Sequence, residues 1–153
     1  ERDRERARGI YKELRMTPGS ICLDKEFIFH EGEKGEKFFI VLSHGENGHY
    51  VVSKTTSNGM QRGIVFGCQL RDRFPSFFLP KSSTCFIKNT WVCLHEFYEL
   101  SKKHVLERHF AGQIYKCGEV PLGITKELLT CAIACVDIST SQKTLVTETL
   151  RGM

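Results

Sequence analysis

Residues 36–57 read Glu36-Lys37-Phe38-Phe39-Ile40-Val41-Leu42-Ser43-His44-Gly45-Glu46-Asn47-Gly48-His49-Tyr50-Val51-Val52-Ser53-Lys54-Thr55-Thr56-Ser57. From Phe38 to Leu42 the run is continuously apolar, the pattern of a central strand covered on both faces rather than one with a wet side. His44 to Gly48 carries turn residues, and His49 to Thr55 returns as the antiparallel neighbour, so the stretch predicts a β-hairpin. In such a hairpin the start of one strand lies beside the end of the other. Lys37 is therefore expected close to Thr55, Thr56 and Ser57.

Upstream, Ser20 to Leu23 and Phe27 to His30 are short apolar stretches, separated from the hairpin by a polar loop, Glu31 to Glu36. Downstream, Ile64 to Phe66, Thr84 to Lys88 and Thr90 to Leu94 read as further strands, with a loop between them holding Arg71, Arg73, Pro75 and Pro80. After Trp91 the period changes. Ser101 is placed to N-cap a helix carrying Val105, Leu106, His109 and Phe110 and ending at Gly112. A second helix, from Thr125 to about Val136, presents Leu128, Leu129, Ala132, Ile133 and Val136. Ala7, Ile10, Tyr11 and Leu14 are spaced like one face of a charge-dense helix, either docked on the domain or an Arg-rich arm. The expected organisation is a charged N-terminal helix over 1–17, one domain over 18–138, and a polar tail over 139–153 that frays. Strands followed by helices, without βαβ alternation, predict an α+β, mainly β fold: a small curved sheet or barrel with flanking helices.

At 153 residues, 41% apolar and 26% charged, the chain is long enough for one real core, and disordered or collagen-like classes are excluded. No apolar run approaches the roughly 20 residues that span a bilayer, and the start is the reverse of a signal peptide. A soluble, cytoplasmic protein is expected; the missing initiator Met reads as a trimmed or longer chain. Twenty-two Lys and Arg against 18 Asp and Glu give a formal +4, a weak pointer to anionic partners. The seven cysteines, an odd number with several inside apolar runs, are expected to be reduced thiols. Cys93 with His95, or Cys131 with Cys135, could be recruited to a metal, but four ligands at finger-like spacing cannot be assembled from neighbours, so no metal is expected.

A lysine facing two hydroxyls suits a phosphate. The ammonium neutralises charge on non-bridging oxygens, while hydroxyls and turn N–H groups donate hydrogen bonds. The alternative is ordinary: Thr and Ser favour strand ends, Asn58-Gly59 signals a turn, and a lysine opening a strand is commonly solvated.

The succession Glu36 to Ser43, then Val51 to Ser57, then Phe86-Ile87-Lys88-Asn89-Thr90-Trp91-Val92, then a helix closing on Phe110-Ala111-Gly112-Gln113-Ile114, resembles the MazF/PemK superfamily of toxin endoribonucleases. The likeness spans residues 19–115 and rests on the order and spacing of short motifs. Familiar members place Arg-Pro where this chain has Lys37-Phe38, which makes it more similar to the branch related to ToxN. The resemblance implies an SH3-like barrel, commonly a homodimer, that cleaves single-stranded RNA without metal or cofactor and is neutralised by a protein or RNA antitoxin. It also implies attack of a ribose 2′-hydroxyl on the adjacent phosphorus, leaving a 2′,3′-cyclic phosphate and a 5′-hydroxyl. Carried over by position, Lys37 is the catalytic cation, and Thr56 and Ser57 orient the phosphate. His30 is the first candidate for general base and His49 the second.

Around that site, Lys54, Asn58, Arg62, Arg71 and Arg73 are candidate RNA-binding residues. Phe74, with Phe77 or Phe78, is placed to stack on unpaired bases; the alternative is that Phe77 to Pro80 plugs the core beneath a loop. Trp91, Phe97 and Tyr98 are expected in the core or a dimer interface. The same barrel without chemistry would be an RNA- or protein-binding module.

Overall fold

The computed structural model describes residues 16–153, so the helix expected over 1–17 lies almost wholly outside the described residues. These form eight strands, β1 (Ser20–Ile28), β2 (Lys34–Val41), β3 (His49–Thr56), β4 (Gly67–Gln69), β5 (Ser76–Leu79), β6 (Thr90–Cys93), β7 (Tyr98–Ser101) and β8 (Ile114–Glu119). Three helices follow the same numbering: α1 (Lys102–Phe110), α2 (Leu122–Ile133) and α3 (Thr140–Arg151). The fold is α+β and mainly β. Its antiparallel sheet runs β4-β5-β6-β3-β2-β1-β8, with β7 also on β3. Among the described residues the end strands β4 and β8 do not pair, so the sheet is not closed into a barrel.

The hairpin forms as its apolar pattern predicts. Phe39 pairs with Lys54 and Val41 with Val52. Ile40 and Leu42 point into one core with Val51, Val92 and Leu128. Phe39 and Val41 point into the other with Phe27, Val52, Tyr98 and Val105. All four β2-run side chains, Phe39 to Leu42, are fully buried, which stabilises the fold by about 1.5–3 kcal/mol each. Helices α2 and α3 cover the first core, and α1 covers the second.

Several expectations are corrected. The two stretches before the hairpin are one strand, β1, bulged between Asp24 and Phe27. Buried Asp24 accepts from Arg108 Nη2 at 2.7 Å and from Glu26 N at 2.9 Å, which satisfies a carboxylate the alternation did not anticipate inside. Burial raises the Asp24 pKa even so, against the bond from Glu26 N and the Arg108 charge. Ile64 to Phe66 and Thr84 to Lys88 are irregular, whereas Ser76 to Leu79, expected in a loop, is the fully buried strand β5. Phe77 and Phe78 are thus core residues. Strand β8, rich in Cys, Gly and charge, carried no strand signal, and it completes the edge beside β1.

The 139–153 segment does not fray. Ser139 caps α3 in a reciprocal capping box with Gln142, Val146 is fully buried, and Thr149 Oγ1 accepts from His44 N at 3.2 Å. Its polar composition hid a four-residue apolar stripe, Leu145, Val146, Leu150 and Met153, that the core completes. Cys68 and Cys131 are disulfide-bonded, with Cα atoms 5.6 Å apart, tying β4 to α2 and correcting the all-thiol expectation. Among the described residues no helix is long and apolar enough to cross a membrane.

Candidate functional site

Continuing the β2/β3 register by two residues from the Phe39/Lys54 pair sets Lys37 opposite Thr56. Both border a cleft of about 490 Å³ whose lining comprises Leu23, Glu36, Lys37, Phe38, Thr55, Thr56, Ser57, Thr90 and the 85–88 segment. Lys37, Thr56 and Ser57, expected together from the hairpin alone, do share one concave surface. Phe86, buried in the far wall, meets Phe38 edge to face with ring centroids 5.3 Å apart, which fixes the floor.

The hydroxyls differ in what they have left to offer. Thr55 Oγ1 donates to Phe38 O at 3.3 Å, so its proton is used inside the fold. Thr56 Oγ1 accepts from Asn58 N at 3.1 Å, which leaves its proton without an acceptor among the described residues. Ser57 is exposed. Asn58 turns its side chain the other way, its Oδ1 accepting from Met60 N at 3.1 Å. Gly59 then passes so close to Trp91 that a Cβ there would lie 2.4 Å from the indole, and Trp91 Nε1 donates to Gly63 O at 2.8 Å. The indole is buried, as expected, and serves as the post around which the 57–63 loop is wound.

The charged lining is Lys37, Lys88 and Glu36. Lys88 and Glu36 were missed by sequence reasoning: Lys88 sat in a presumed strand, and Glu36 in a presumed solvent loop. Lys37 makes no ion pair among the described residues.

The remaining candidates lie elsewhere. His30 is not in the cleft. It stands past the far end of β1, its Nε2 donating to Phe97 O at 2.9 Å and its ring stacked on Tyr98 at 3.9 Å. The histidine proposed to move a proton therefore holds a loop in place. His49, the second choice, opens β3 at the end opposite Thr56 and pairs with Ser101.

Lys54 does not line the cleft; two residues before Thr56 on β3, it shares that residue's face of the sheet and joins a second polar group. Its Nζ meets Glu96 Oε1 at 2.5 Å and lies 4.9 Å from the Phe29 ring centroid. Glu96 Oε2 accepts from Tyr98 OH at 3.2 Å. Burial alone would raise the Glu96 pKa, but the Lys54 bond and charge, with His95 and Tyr98, hold it below the ordinary value. Burial pushes the Tyr98 phenol up to about 12. For His95, burial is again the first cause, and with the Lys54 and Arg62 charges it lowers the pKa, against Glu96. Its imidazole is neutral at pH 7.

Arg62 and Arg73 lie against Phe74, each guanidinium carbon 5.4 Å from the ring centroid, and His95 stands 5.3 Å from the same ring. Phe74 is thus engaged on several sides by the chain's own groups. Arg62 Nη1 also donates to Asn58 O at 3.1 Å, while Arg62 Nε and His95 Nδ1 are buried without partners among the described residues. Arg71 borders a shallow depression with Gly63 and Asp72, away from the cleft. Of the basic candidates only Lys37 lines the cleft; Lys54 is held by Glu96, Arg62 and Arg73 by Phe74, and Arg71 borders the other depression, although the charges of Arg62, Lys54 and Lys37 all bear on the buried Cys93 thiol. His95 was read only as a possible metal partner of Cys93, and Glu96 was missed, with no periodic signal to separate either from surface residues.

Among the described residues no three His, Cys, Asp or Glu side chains are placed to hold a metal ion. No protein-family model matches this chain, and no curated protein matches it either.

Proposed function

We propose that the cleft binds a phosphodiester of single-stranded RNA and promotes its cleavage by the neighbouring ribose 2′-hydroxyl, as the resemblance to the MazF/PemK toxins implies. The observation that carries this reading is the convergence of Lys37, without an ion pair among the described residues, with Thr56 and Ser57 on one concave surface. A phosphorane gains two negative charges as it forms. Lys37 neutralises part of that charge, and hydroxyl protons held in place beforehand add donors where charge develops. Glu36 is the carboxylate bordering the cleft, and it takes the part assigned to His30: acceptor of the 2′-hydroxyl proton. Lys88 holds a flanking phosphate, and Ile87, 86% exposed at the rim, offers apolar surface to a base. A 2′,3′-cyclic phosphate and a 5′-hydroxyl result. The reading carries with it the finer fold expectation of an SH3-like barrel topology, here open, a homodimer, a protein or RNA antitoxin and a cytoplasmic site of action.

The second reading is an RNA-binding module without chemistry, favoured by the placement of His30 outside the cleft. Incubation of the purified protein with mixed-sequence RNA in EDTA separates the two. Fragments ending in cyclic phosphate are expected from the nuclease. Retention of intact RNA, strongest at low salt, would leave the binding module in its place.

A further inference from the structure

Outside the proposed chemistry, the 85–88 wall of the cleft carries a thiol, Cys85, that meets a second one on β8. Cys85 Sγ lies 3.3 Å from Cys117 Sγ, with Cys85 exposed on the loop between β5 and β6 and Cys117 half-buried on β8. A disulfide has sulfurs about 2.05 Å apart, so closure needs an approach of roughly 1.3 Å. The loop can supply it. Its hydrogen bonds are local turns, Ser82 N to Phe86 O and Ser83 Oγ to Pro80 O, and not a strand ladder. Phe86, packed on Phe38, keeps Cys85 beside β8, where a Cβ on Gly118 would come within 3.2 Å of the Cys85 sulfur.

No other free cysteine competes. Cys22 is buried on the opposite face of β1 with its sulfur on Met16 Sδ, and Cys93 and Cys135 are buried. Cys117 is turned to the other face, where it packs against the first core and donates to Ile21 O.

We propose that Cys85 and Cys117 are a modification site, a dithiol that a small-molecule disulfide such as oxidised glutathione converts into a second disulfide bond. Cys85 is the entry point because it is exposed. Its thiolate attacks one sulfur of the reagent, the reagent's S–S bond breaks, and one glutathione leaves, taking up a proton. Cys117 then loses its proton and attacks Cys85 Sγ, expelling the second glutathione. The two cysteines are oxidised by two electrons and the reagent is reduced to two thiols. Burial holds the Cys117 thiol at about 12, with the hydrogen bond and charge of Cys85 adding to it. Capping Cys85 removes that charge, so the first step eases the second. The bond would fasten the 85–88 wall to β8 and set the width of the cleft. The site stands on sulfur geometry alone and does not depend on the RNA reading.

The test treats the full chain with oxidised glutathione under native conditions, then blocks free thiols and maps peptides without reduction. Expected are a linked pair of peptides holding Cys85 and Cys117, loss of two hydrogens with no glutathionyl group retained, and several-fold slower tryptic cutting after Lys81 and Lys88. Cys117→Ser is expected to trap the glutathionyl group on Cys85. Cys85→Ser, an exposed change that spares the core, leaves Cys117 unbridged. A wild-type Cys85 that retains the glutathionyl group as stably as Cys117→Ser, or that links to another cysteine, overturns the proposal, as does an unchanged tryptic rate after linkage.

Discussion

Lys37 and Lys54 stand on adjacent strands, yet they are held in opposite ways. Lys37 borders a cleft that Thr55, Thr56 and Ser57 also line, with no carboxylate in ion-pair reach among the described residues. Lys54 is consumed: Glu96 binds it, Phe29 lies beneath it, and Tyr98 and His95 complete a network that ties β3 to the chain before β7. A cation already paired inside the fold supports structure, and one left unpaired beside free donors is available to a ligand. The two groups should therefore respond differently to mutation.

The largest expected effect is in the cleft. Thr56→Val keeps the shape and removes the donating hydroxyl, and should lower RNA cleavage by about 100-fold, as for loss of one preorganised donor, with the melting temperature little changed, since the bond lost within the fold is the one from exposed Asn58 N. A large loss of stability instead would make Thr56 structural and erase the contrast with Lys54. Next comes the loop post. Gly59→Ala places a methyl group against Trp91 and should destabilise the fold by about 1–3 kcal/mol, as overpacking does, measured by urea unfolding. Glu96→Gln removes the partner of Lys54 and should cost about 1–2 kcal/mol, with cleavage per folded molecule retained.

The smallest effect is in pH dependence. Glu96 has a folded pKa below its ordinary 4.5, so its contribution is present at neutral pH and lost as pH falls below that value. Urea midpoints measured from pH 6 downward should fall less steeply for Glu96→Gln than for wild type, by less than about 1 kcal/mol across the range. Parallel curves would mean that Glu96 is not held by Lys54 in solution.

What the sequence made legible was local. The hairpin register follows from a continuous apolar run, a turn and a return strand, and that register alone carries Lys37 to Thr56. The helix capped by Ser101 was legible for the same reason, its Oγ accepting from His104 N at 3.0 Å. What failed was decided by distant partners. Strand β5 was hidden between prolines and arginines because its burial depends on β6 and β4, and β8 is a strand only because β1 offers an edge. His30 looked available because nothing nearby in sequence announces Phe97 and Tyr98, which engage it across about seventy residues. Arg62, Arg73 and Phe74 looked like a groove, and in space they hold one another.

The most direct measurement compares Lys37→Ala with Lys54→Met in one RNA cleavage assay in EDTA, with the folded fraction of each variant fixed by thermal unfolding. Lys37→Ala is expected to fold as well as wild type and to lose at least about 100-fold in rate. Lys54→Met is expected to melt lower and to cleave at the wild-type rate per folded molecule. Wild-type cleavage by Lys37→Ala would contradict the assignment of the cleft as the reactive site.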